Sequence, residues 1–91
     1  MRFVPTKDDD VATNVRAAIG DSIVVVLDTQ WPPLTLALAR AAIAPLAIER
    51  GPSTRINAVL ASPAASQAAV EAAIDFLEFA TSTTGQMIEI N

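Results

Sequence analysis

Between Leu34 and Arg50 the chain carries almost nothing polar: Thr35 at the start, Arg40 inside, and Glu49-Arg50 at the end. Seventeen residues bounded by Gly51-Pro52 read as a helix, and on a helical wheel no solvent face of ordinary width remains. A helix that is apolar all round is buried all round. The chain has 91 residues, which allows one domain of modest core. Such a domain can cover one side of an outer helix but not both. One face is therefore expected on the body of the domain and the other on a second subunit. Ala37, Ala39, Ala41, Ala42, Ala44 and Ala47 permit close helix approach, and Pro45 removes one helical hydrogen bond. The competing reading is an alanine-rich helix that tolerates exposed alanines, alanine being the best helix former. We read the helix as an oligomer interface.

The segments around it alternate in period. Arg2–Thr6 is extended, confined to an edge by Pro5. Asp8-Asp9-Asp10 supplies N-cap chemistry for a helix over Val11–Ile19, with Gly20 as its stop. Ser22–Leu27 is an unbroken, largely β-branched run, the mark of a strand buried on both faces. Arg55–Leu60 is the next strand, Ser66 caps a helix running to about Ala80, and Gln86–Ile90 is the last strand. The sum is βαβαβαβ: an α/β, Rossmann-like domain of two or three layers on a mainly parallel four-stranded sheet. Right-handed crossovers are expected. Residues 1–91 form a single truncated domain on this reading.

The helix after Ser66 has one polar stripe, Gln67, Glu71, Asp75 and Glu78. Val70, Ala73, Ile74 and Leu77 form one apolar side, and Ala69, Ala72, Phe76 and Phe79 another. That arc is wider than one sheet face requires. The expected interface residues are Leu34, Leu38, Ala41, Ala44 and Ile48, joined by Phe76 and Phe79.

Composition removes whole classes of chemistry. There is no histidine and no cysteine, hence no Ser-His-Asp arrangement, thiol nucleophile or zinc-thiolate site. The formal net charge is −4 with only six Lys and Arg, which argues against nucleic acid. The apolar runs are too short for a membrane span, and the first ten residues hold no apolar core of signal-peptide length. A cytoplasmic protein is expected. The three glycines, Gly20, Gly51 and Gly85, are too far apart to build a phosphate-cradling loop. No cofactor and no metal site is expected. The aspartate run reads as a solvated helix start.

At the carboxyl end of the second strand, where such sheets place ligands, stand Asp28, Thr29 and Trp31. With Asn57 they are the candidate crevice residues. Asp28 has no partner base and reads as a loop cap. Trp31, pinned by Pro32-Pro33, reads as a plug at a subunit contact or the sheet end rather than a ligand platform.

Leu34–Arg40 (LTLALAR), Arg55–Val59 (RINAV), Ala73–Leu77 (AIDFL) and Thr84–Ile88 (TGQMI) resemble, in order and spacing, the C-terminal half of short-chain dehydrogenases/reductases. The resemblance spans residues 22–91; the first 20 residues match the pattern poorly. It implies a Tyr-x-x-x-Lys catalytic pair near Trp31–Thr35. Tryptophan and threonine supply neither the phenol nor the ammonium, and the glycine-rich cofactor turn is missing. No catalytic residue carries over. The chain is also similar to the non-catalytic Rossmann-like domain that precedes the reductase domain in high-molecular-weight 3-oxoacyl-acyl-carrier-protein reductases. In such relatives the equivalent of Leu34–Arg50 is a main dimerisation element. The resemblance implies a pseudo-enzyme acting as a homo-oligomer, or paired with a reductase-type subunit. The alternative is a ligand-sensing or NAD(P)-linked module using the strand-end crevice.

Overall fold

A computed structural model describes residues 1–91. The elements are β1 (Arg2–Phe3), α1 (Val11–Ala17), β2 (Ser22–Asp28), α2 (Pro33–Arg50), β3 (Arg55–Ala61), α3 (Gln67–Phe79) and β4 (Met87–Ile90). The four strands form one sheet in the order β1-β2-β3-β4, every pair parallel. Each strand is thus paired with the next in sequence. The expected α/β architecture holds, and the sheet is parallel throughout.

Strand alternation sorts the core into two halves. Ile23, Val25 and Leu27 of β2 with Ile56, Ala58 and Leu60 of β3 face Val11 and Val15 of α1 and Ala39, Ile43, Leu46 and Ala47 of α2. Val24 and Val59 face the other way, onto Ala73, Ile74 and Leu77 of α3. Three layers result, with α1 and α2 on one side and α3 alone on the other. Burial on both faces is what the continuous runs of β2 and β3 require. Each fully buried Ile or Leu here contributes about 1.5–3 kcal/mol.

This layering fixes a chirality. The strands advance in one direction across the sheet, yet α3 crosses on the face opposite to α2. The β3–α3–β4 connection therefore has the opposite hand to the two before it, against the expectation of three right-handed crossovers.

Local chemistry sets most boundaries. Asp10 caps α1, its carboxylate accepting from the Thr13 N–H at 3.1 Å. Ser66 caps α3 through the Ala69 N–H, also at 3.1 Å. α2 starts at Pro33 with no side-chain cap and runs unbroken through Pro45 to Arg50, where the Gly51 N–H closes on the Ala47 carbonyl. α1 stops at Ala17, earlier than expected, because Ala18 is already extended. Gly20 is not its cap. Arg50 takes over that end: its guanidinium donates to the carbonyls of Val15, Arg16 and Ala18. The strand expected over Arg2–Thr6 is only Arg2–Phe3.

Candidate functional site

Two surfaces stand out, the outer flank of α2 and the crevice at the carboxyl ends of the strands. On α2, the residues facing the sheet are Ala39, Ile43, Leu46 and Ala47. The opposite flank carries Leu34, Leu38, Ala41, Pro45 and Ile48, spaced four, three, four and three apart, the repeat of a helix-pairing seam. Leu34 is 72% exposed, Leu38 64% and Ile48 82%. Ala37, Ala41, Ala44 and Pro45 are exposed with them. From Leu34 to Ile48 the seam runs about 21 Å. Its flank of alanines lets another helix come close. The only charge inside the helix, Arg40, turns aside to Glu89 on β4 at 3.3 Å, so no charge interrupts the seam.

A groove of about 410 Å³ runs beside it, between α1 and α2. Val11, Ala12, Leu38, Ala39 and Ala42 line it, with Asp9 and Asp10 at its mouth. The helix pair is held by the arginine bonds to the end of α1 and by Arg16 on Glu49 at 2.8 Å. Phe76 and Phe79 are also exposed. They belong to α3, however, and so lie on the opposite layer. The expected interface set is thus divided between two faces.

The crevice holds about 450 Å³. It forms where the chain leaving β2 turns toward α2 and the chain leaving β3 turns toward α3, on opposite faces of the sheet. A strand-order reversal ordinarily produces such divergence; here the change of crossover hand does. Asp28, Gln30 and Trp31 line it from one side, Ala61, Ser62 and Pro63 from another, and Val4–Lys7 close it. Asp28 is a loop cap, its carboxylate accepting from the Gln30 N–H at 2.8 Å. Trp31 is only 9% exposed and packs within the α2-side core as a wedge over the sheet end. Thr29 is half-buried and donates its N–H to the Ala61 carbonyl. Lys7 and Ser62 are crevice residues that the sequence did not single out. The chain reversals that bring them there carry no motif.

Asn57 does not belong to this crevice. It is fully buried in the amino half of β3, on the α3 side with Val59. Its amide donates to the Thr83 carbonyl at 3.0 Å, and its oxygen accepts from the Gln86 N–H at 3.0 Å. It staples the turn into β4, which is the physical link between the RINAV and TGQMI segments.

The perturbed charges all serve the fold. Glu71 is held below the usual carboxylate range by the two-pronged hydrogen bond from Arg2, and Asp10 by the N–H and hydroxyl of Thr13. Arg2 and Arg16 are raised by Glu71 and Glu49. Nowhere do three acidic side chains converge as a cation cage would require. No helix is long and apolar enough to cross a membrane.

A family model described as "Short chain dehydrogenase-like protein" matches residues 6–90. The match reaches back through α1 but not to β1, which lies ahead of residue 6. No curated protein matches, and no solved structure does. The chain belongs to the short chain dehydrogenase-like family.

Proposed function

We propose that this short chain dehydrogenase-like chain is a non-catalytic scaffold that works by association, through the outer flank of α2, with a second copy or with a reductase-type subunit. One observation carries the reading: the seam of Leu34, Leu38, Ala41, Pro45 and Ile48 is apolar, continuous and uncovered in the single chain. Contiguous exposed apolar surface of this kind marks an interaction site. Trp31, just before the same helix, and Thr35, in its first turn, supply neither a phenol nor an ammonium where the family resemblance places its catalytic pair. The Phe76 flank offers a further contact on the other layer.

Sedimentation at low micromolar concentration tests this. The expected result is a dimer or larger, split by Ala41→Glu or Ala44→Glu without loss of helical signal, because both side chains are exposed. A clean 9.5 kDa species, with no reductase-type protein co-purifying, would reject the proposal.

A second reading draws on the crevice. Its divergent loops and its volume of about 450 Å³ suit a small ligand sensed without turnover. Calorimetry with NADPH and NADH separates the two. Micromolar binding favours the crevice, and silence to millimolar concentration retires it.

A further inference from the structure

The segment ahead of α1 is the most lightly held part of the sheet, and it stands at the crevice. β2 and β3 pair over seven residues, β1 and β2 over two. Pro5 has no N–H with which to extend that ladder. Beyond it the chain bonds to itself. The Asp9 carboxylate accepts from the Thr6 N–H at 2.7 Å and from the Thr6 hydroxyl at 3.2 Å, and the Asp9 N–H donates to the Thr6 carbonyl. That closed turn leads straight into the Asp10 cap of α1. A hinge is thus defined at Pro5-Thr6, with a self-supporting turn on one side and a two-residue strand on the other.

Side chains hold β1 from both faces of the sheet, neither of them firmly. On the α3 face the Arg2 guanidinium forks onto the Glu71 carboxylate, donating from Nη1 at 2.8 Å. Both side chains are more than a third exposed, and ion pairs of that kind are weak and screened by salt. On the other face Phe3 packs against the α1–α2 core but is only partly buried. Val4, next along, is exposed. A segment with so few buried contacts opens locally at far lower free energy than the core of the sheet.

Opening has two consequences. The Val24 N–H, which donates to the Met1 carbonyl at 2.9 Å, loses its acceptor. The crevice also loses a wall, because Val4 and Pro5 line it beside Val26 and Leu27 of β2. Continuing the register that pairs Phe3 with Val25 sets Pro5 alongside Leu27. Pro5 is buried there and Leu27 fully so, so withdrawing Pro5 uncovers the end of β2. The geometry points to residues 1–5 as a strap that gates the crevice, swinging at Pro5-Thr6 and latched by Arg2 on Glu71. The strap deepens the crevice reading by giving it a way in, yet its test needs no ligand. Calorimetric silence with NADPH and NADH would retire that reading and leave the strap standing.

Hydrogen exchange reads the latch, and cysteine labelling reads the gate. The Val24 amide should exchange at least about tenfold faster than the slowest amides of β3. Glu71→Gln removes the ion pair from an exposed site. It should speed Val24 about two- to fivefold, the range of a surface ion pair, with β3 unchanged. The chain has no cysteine, so Leu27→Cys places a single thiol behind Pro5. Its labelling by an aromatic disulfide reagent should rise by the same factor when Glu71→Gln is added. Val26→Cys, on the same wall, replaces it if the smaller side chain at position 27 unsettles the core. Val24 exchanging in step with β3, an effect of Glu71→Gln shared equally by β3, or labelling indifferent to Glu71→Gln would overturn the proposal.

Discussion

The Arg50 guanidinium donates to the Val15 carbonyl at 2.7 Å, from the last residue of α2 to the last turn of α1. The same side chain reaches the Ala18 carbonyl at 3.0 Å and the Thr54 hydroxyl at 3.4 Å, while that hydroxyl donates to the Gly20 carbonyl at 2.9 Å. One half-buried cation thus satisfies carbonyls that the end of a short helix leaves open. Charge-assisted bonds of this kind are each worth about 1.5–3 kcal/mol. Arg50→Ala should lower unfolding free energy by about 2–4 kcal/mol, because several acceptors lose their donor together. Arg50→Lys should recover only part of it, since an ammonium cannot fork across three carbonyls. Urea denaturation of the three proteins measures this.

Asn57 makes the corresponding connection on the other side of the sheet. Asn57→Ala removes the acceptor of Gln86 N–H and the donor to Thr83, leaving unpaired groups next to a fully buried site. The expected loss is about 2–3 kcal/mol. Hydrogen exchange should locate it: the Gln86 amide speeds up more than the amides of β2. Uniform acceleration across the sheet would mean that Asn57 supports the core as a whole rather than that turn.

How far the sequence reveals these features depends on how local their causes are. β2 and β3 are legible because burial on both faces forces an unbroken apolar run within each segment. The Asp10 and Ser66 caps are legible because cap and amide are three residues apart. The end of α1 is not legible: Ala18 leaves the helix where Arg50, 32 residues on, supplies the donor. The sequence groups Asn57 with the crevice because it lies in β3, the strand whose carboxyl end builds that crevice. Its face and depth depend on Gln86, 29 residues away. The hand of the last crossover is hidden for another reason. The stripe of Val70, Ala73, Ile74 and Leu77 would pack as well on either face of a sheet buried on both. The separation of Phe76 and Phe79 from the α2 seam follows from that hand, and it could be read only with the layers in place.

Acid sensitivity follows from two carboxylates. Glu71, bonded by Arg2, and Asp10, bonded by Thr13, both titrate below their unfolded values of 4.5 and 3.8. A depressed carboxylate binds its proton more readily in the unfolded chain. Its contribution is complete above the unfolded value and is lost as pH falls through the folded one. Stability should therefore decline with acid below about pH 4. Both groups are exposed, so each contribution is small. Glu71→Gln and Asp10→Asn should each flatten the acid limb of a stability–pH curve while leaving its slope above pH 6 unchanged. Salt should weaken the Glu71 contribution more, because it is an ion pair at the surface.

Gly85 offers a test in which space and backbone conformation are separated. Its φ is +74°, and a Cβ there would meet only the Ala47 Cβ at 3.6 Å, an ordinary contact. Its N–H donates to the Ile56 carbonyl at 2.7 Å, at the turn that Asn57 staples. Any cost of adding a side chain is therefore that of holding an L-residue in the left-handed region, about 1–2 kcal/mol. Gly85→Ala should destabilise by that amount. Gly85→Asn should cost less despite its larger side chain, because asparagine tolerates the conformation. Thermal or urea unfolding distinguishes the two causes. A penalty that rises with side-chain volume, from Ala to Asn, would show that packing against Ala47 controls the position instead.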